Sequence, residues 1–318
     1  MEKKKIYLTY DQQIEKLKSD GLIVCDEKRA KRRLKWEGYF NFAVGYNRLF
    51  KDENRRYEAG TTFEDVEALF DFDKKLRGLV YEYAQNIELN LKALISDEFS
   101  KNYGVREQEY LSEKNFTDEP ENSAKVRWIV GTCRATLQDA CRDGSGSYRD
   151  YIAYYRKRYG HVPFWALIRA LSFGNLSKFL CLMKKEDGRR IAKEYGVSYS
   201  FLCDLVEVVV GFRNLAAHGE RVYCARLSTA AIEDAATARK VGLPKLESGE
   251  TACGKRDFMA FLIAAKYLLP HKEFKECLER LKKEVDVLEA GLNAGAFAKV
   301  MRATGLAGKW RELGELFL

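Results

Sequence analysis

The stretch TTFEDVEALFDFDKKLRGLVYEYAQNIELNLKALISDEFSKNYG, residues 61–104, decides the fold. Phe63, Val66, Leu69 and Phe70, then Leu76, Leu79, Val80, Tyr83, Ile87, Leu91 and Leu94, recur at three- and four-residue steps. That is the period of an α-helix with one buried face. Thr61 or Thr62 supplies an N-cap and Gly104 a stop, so the spacing predicts a single long helix.

Upstream, LTYDQQIEKLKSDGLIV (8–24) reads as a capped helix. Thr9 followed three residues later by Gln12 is the capping-box pattern, and Gly21 is a stop. A second helix is predicted from Asp26. Its sequence, DEKRAKRRLKWEGYFNF, sets Lys28, Arg29, Lys31, Arg32, Arg33 and Lys35 directly before Trp36, Tyr39, Phe40 and Phe42. Cations at this density suit a phosphate backbone, and the aromatics, with Tyr46, suit base stacking, although Tyr39 and Tyr46 fit the core better. The alternative is a solvated basic face beside core aromatics.

Downstream, residues 51–61 read as a loop, 112–123 as a polar linker around Pro120, and 142–150 (RDGSGSYRD) as a flexible break. Helices are expected from about Ala124, through DYIAYYRKRYG, VPFWALIRALSFGNLSKFLCLM and DGRRIAKEYG, and again from about Ser200. Residues 228–254 read as mixed loop and short helix. Lys255–Leu269 and Lys272–Leu292 follow as helices on either side of Pro270. With neither sustained strand alternation nor an internal repeat, the prediction is all-α. Three segments divide the chain: 1–50, basic and aromatic; 51–227, the helical core; and 228–318, a C-terminal helical extension.

The net charge of +8 favours polyanionic partners without requiring one. The eight cysteines form no CxxC and no zinc-finger spacing with histidine, so neither a metal nor another cofactor is expected. No run approaches the roughly 18 apolar residues of a membrane span. Together with the absence of a leader-like apolar run after MEKKKIYLTY, this gives the expectation of a cytoplasmic protein without a membrane partner.

The candidate chemistry lies in VVVGFRNLAAHGERVY, residues 208–223. Asn214 and His218 are four residues apart and share a helix face. Arg213 lies about 140° from His218 on an ideal helix. Three arrangements bring them together: a distorted turn at Gly211 or Gly219, an arginine that reaches around, or a site shared by two copies. Histidine transfers protons near neutrality, and arginine grips a phosphate at two points. In RNA cleavage the nucleophile is the substrate's own 2′-hydroxyl. On spacing alone, an ordinary polar helix end fits equally. Asp73 and Arg77, and likewise Glu88 and Lys92, are i,i+4 pairs. They fit ordinary ion pairs along the helix; the other reading of Glu88 is that it orients His218 or Arg213.

Five blocks in order resemble the Abi-like abortive-infection family (the AbiD/AbiF group) of the HEPN superfamily. They are LTYDQQIEKLKSDGLIV, WEGYFNFAVGYNRLF, TTFEDVEALFDFDKKLRGLVYEYAQNIELNLKALIS, VPFWALIRALSFGNLSKFL and GFRNLAAHGERVY, covering about residues 6–227. The resemblance implies a HEPN-type helical bundle with N- and C-terminal helical additions, acting as a homodimer in phage defence. It also implies that Arg213, Asn214 and His218 are the R-N-x-x-x-H signature of a metal-independent endoribonuclease leaving 2′,3′-cyclic phosphate ends. It further implies that Asp73 and Arg77 brace the motif helix. Glu220, just beyond the motif, departs from what a phosphate site favours. Two other readings stand beside the nuclease. One is a non-catalytic RNA-binding protein in complex with a structured small non-coding RNA, and the other is a helical protein-interaction module.

Overall fold

Thr62 starts the helix that organises the molecule. Its hydroxyl accepts the Asp65 amide, while the Asp65 carboxylate accepts the Thr62 amide. This reciprocal cap satisfies donors that a helix start otherwise leaves open. The helix then runs without a break from Phe63 to Tyr103 and ends at Gly104, whose φ of 79° few other residues adopt. At 41 residues it is about 60 Å long.

The computed structural model describes residues 6–142, 149–245, 251–306 and 310–317. In chain order the helices are α1 (Tyr10–Ser19), α2 (Glu27–Glu37), α3 (Phe63–Tyr103), α4 (Glu107–Tyr110), α5 (Ser123–Arg142), α6 (Asp150–Tyr159), α7 (Phe164–Ala170) and α8 (Phe173–Leu182). They continue as α9 (Lys185–Glu194), α10 (Tyr199–Ala217), α11 (Ala235–Val241), α12 (Phe258–Leu268), α13 (His271–Gly291), α14 (Ala294–Thr304) and α15 (Leu313–Phe317). Among the described residues there is no sheet, only isolated bridges such as Ile23 with Thr62. The fold is all-α, as the periodicity predicted.

Two helices pack along α3 in the opposite direction. On α10 and the loop after it, Arg213 faces Glu88 and Val222 faces Asp73. On α13, Glu273 meets Asn86 and Arg280 meets Glu82. The Val208–Val210 run in α10 has modest helix propensity, but Val208 and Val209 are fully buried and tertiary packing overrides it. α12, whose Phe258–Ala265 are all buried, covers another side of α10. No single helix among the described residues is long and apolar enough to cross a membrane. One apolar core runs from Ile14 to Phe317, so segments 1–50 and 228–318 share it with the middle of the chain.

The sequence reading of the polar linker needs correction. Residues 112–123 are not a free linker, because Phe116 is buried among Phe99 and Phe179 and pins the segment down. In the expected break at 142–150, residues 143–148 lie outside the described residues, as do residues 246–250 of the 228–254 stretch. The C-terminal extension also holds α14 and α15, which the sequence reading did not predict.

Gly188 on α9 gives a direct test of the packing. A Cβ there would overlap the ring of Tyr199, which is fixed through its hydroxyl to the carbonyls of Leu180 and Met183. Gly188→Ala should lower unfolding stability by about 2 kcal/mol in a urea titration, despite the better helix propensity of alanine.

Candidate functional site

α10 remains regular to Ala217 and ends at His218, followed by Gly219 with a φ of 73°. The Gly219 amide bonds to Ala216 O and the Glu220 amide to Leu215 O. These two bonds make a Schellman end, with His218 as the C-cap residue. Its imidazole is exposed at the C-terminal end of the helix. The distorted turn considered from sequence is absent. Gly211 instead makes room for Leu227, whose methyl groups occupy the space a Cβ would need.

Arg213 is half-buried, and its Nη1 donates to Asn214 Oδ1 at 3.0 Å. Its Nη2 lies 3.7 Å from Glu88 Oε2, too far for a full hydrogen bond. The other Glu88 oxygen takes Lys92 at 2.8 Å. Lys92 is itself fixed by the carbonyls of Arg169 and Leu171 at the end of α7. Glu88 is thus held mainly by Lys92 and steers Arg213 without saturating it, which leaves guanidinium donors for a ligand. Within one chain, Asn214 and His218 share a face, and the Asn214 bond turns Arg213 toward it.

Asp73 holds the loop that follows. It is fully buried, and Oδ1 accepts the Val222 and Tyr223 amides at 3.0 and 2.7 Å. Oδ2 accepts the Tyr46 hydroxyl at 2.6 Å and Arg77 Nη1 at 2.5 Å. Burial pushes this carboxyl up from its usual range, while Tyr46, Arg77 and the Tyr223 and Val222 amides pull it down. Tyr46 is raised in turn by burial and by the Asp73 charge. The Tyr46 ring stacks on Tyr223 at 5.8 Å. Between these anchors and the motif, Arg221 donates to the Gly45 carbonyl, and Glu220 stays exposed.

The cations of the basic helix α2 fall into two groups. Arg29 pairs with Glu67, Lys31 with Asp11, and Arg33 with Glu67, Asp71 and Glu37. Lys28, Arg32 and Lys35 are exposed and have no carboxylate partner among the described residues. Their four- and three-residue steps put them on one face. Trp36 and Phe40 are exposed as well. Phe42 and Tyr46, also considered for stacking, are core residues, and Tyr39 is half-buried. Among the described residues, no three His, Cys, Asp or Glu side chains gather into a metal-holding group.

Tyr46 and Lys92 are the supports that sequence reasoning underrated. A signal existed for the first: Asp73 falls in the buried stripe between Phe70 and Leu76, where a carboxylate requires donors from elsewhere. Asp73→Ala should strand Arg77 and two buried amides, at about 3–5 kcal/mol. It should also speed hydrogen exchange at Val222 and Tyr223, whereas Tyr46→Phe should cost about 1 kcal/mol and leave both amides protected.

A family model described as Abi-like protein matches residues 32–224. No curated protein and no solved structure matches the chain. The matched span begins within α2, includes α3 whole, carries the motif at the end of α10 and closes one residue beyond the Asp73-bound Tyr223, which covers more than half of the chain. The chain therefore belongs to the Abi-like protein family.

Proposed function

We propose that this chain acts on RNA in abortive infection, as an endoribonuclease centred on Arg213, Asn214 and His218. The observation that carries the reading is an arginine steered by Glu88 and Asn214 but left with spare donors, close in sequence to an exposed imidazole. His218 takes the proton of the 2′-hydroxyl, and the 2′-oxygen attacks the adjacent phosphorus. The bond from phosphorus to the 5′-oxygen breaks, and that oxygen takes its proton from the protonated His218 of a second copy of the chain. Arg213 stabilises the charge on the phosphoryl oxygens, with Asn214 holding it in place. The products are a 2′,3′-cyclic phosphate and a 5′-hydroxyl. The mechanism needs no metal, since the substrate supplies the nucleophile.

An ideal helix places Arg213 and His218 about 140° apart, so a homodimer that pools both sets of groups is part of the proposal. Lys28, Arg32 and Lys35 supply phosphate contacts outside the reacting centre. The openness of the motif surface and the exposed Glu220 favour a second reading, in which the chain holds a structured small non-coding RNA without cutting it.

RNA copurified with wild-type protein and with His218→Ala separates the two. Cleavage requires cyclic phosphate ends that disappear in the variant, with turnover down about 10²–10⁴-fold and RNA affinity retained. Identical ends in both preparations would leave a binding protein only. Light scattering should give twice the 36.6 kDa chain mass.

A further inference from the structure

Three cations on α2 make no ion pair among the described residues. Arg29, Lys31 and Arg33 are consumed by Glu67, Asp11, Asp71 and Glu37, whereas Lys28, Arg32 and Lys35 face solvent along one side. That side is about 10 Å long. At its C-terminal end Trp36 is 80% exposed, and beyond Gly38 Phe40 is 78% exposed. Nearby, Phe42 and Tyr46 are buried and Tyr39 is half-buried, whereas these two rings are left in water. The turn after Phe40 then reaches Gly45, whose carbonyl is bonded by Arg221, three residues beyond His218. The segment that follows the face is thus tied to the loop after the motif by this hydrogen bond.

We infer that Lys28, Arg32, Lys35, Trp36 and Phe40 form a seat for unpaired RNA, with phosphates along the three cations and bases stacked on the two rings. This rests on the proposal that the chain acts on RNA, and it narrows the substrate to single-stranded segments. Charge sets the polyanion, and the rings select among polyanions. An unpaired base offers its π-face to a side chain, while in a duplex both faces are already stacked on neighbouring bases. A second copy of the chain is a poorer occupant, because it would bring another set of unpaired cations against these.

The test uses full-length protein carrying His218→Ala, so that binding is read without turnover. A fluorescein-labelled 12-nucleotide RNA is titrated alone and annealed to its complement. The seat predicts tighter binding of the single strand, and a loss of about 10- to 100-fold in Trp36→Ala/Phe40→Ala, with its salt dependence unchanged. Lys28→Ala/Arg32→Ala/Lys35→Ala should instead lower the slope of log affinity against log salt by about 2. Both rings are exposed, and an unchanged melting temperature would confirm that the variant folds. Equal affinity for strand and duplex, or an aromatic variant that binds as wild type, would overturn the seat. So would a variant that loses only self-association, which would make the patch a contact between copies. Loss of the seat with cleavage intact sinks this inference alone, and an intact seat on RNA that is never cut sinks only the endoribonuclease.

Discussion

A carboxylate in the middle of an apolar stripe imposes a severe constraint, and Asp73 is such a group. Removing its charge from water carries a penalty of several kcal/mol, met only if nearly every lone pair finds a donor. Asp73 finds four, and they come from three separate parts of the chain: Tyr46 before the long helix, Arg77 on it, and the Val222 and Tyr223 amides after the motif helix. The gain in stability over an apolar residue at this place is small. The gain in specificity is large, because any shift of α10 along α3 strands the charge. The position of His218 is inherited from that register.

Glu88 acts about four turns further along α3, with the opposite logic. It is nearly buried too, but Lys92 takes most of its bonding capacity, and its link to Arg213 stays long. One carboxylate therefore fixes backbone while the other biases a side chain that must remain available. Both lie on α3, so a single rigid helix spaces the anchor of the motif loop from the guide of the motif arginine. The resulting geometry is stiff at the loop after α10 and looser at the Arg213 side chain.

Much of this architecture was legible in the sequence. The boundaries of α1, α2, α3 and α10 follow from Thr9, Asp26, Thr62, Gly104 and Gly219, since caps and stops act through neighbours three or four residues away. What escaped depends on distant partners. Lys28 and Arg29 look alike in sequence, and only Glu67, about forty residues on, distinguishes them. Phe116 sits in a polar stretch, and its burial depends on Phe99 and Phe179 arriving from other helices. Gly211 suggested a kink because the closeness of Leu227 cannot be read from its spacing. At the candidate site the residue types were readable and their division of labour was not.

The four donors of Asp73 also differ in when they become available. Synthesis delivers the carboxylate, Tyr46 and Arg77 early, and roughly another 150 residues are added before the Val222 and Tyr223 amides emerge. Until then α3 carries a half-satisfied charge in a stripe that ought to be buried, and the helix bearing Arg213 and His218 has nothing to fix its register. The locking step belongs to the last third of translation. A chain abandoned before that point would carry the basic N-terminal helix without the amides that fix the loop after α10.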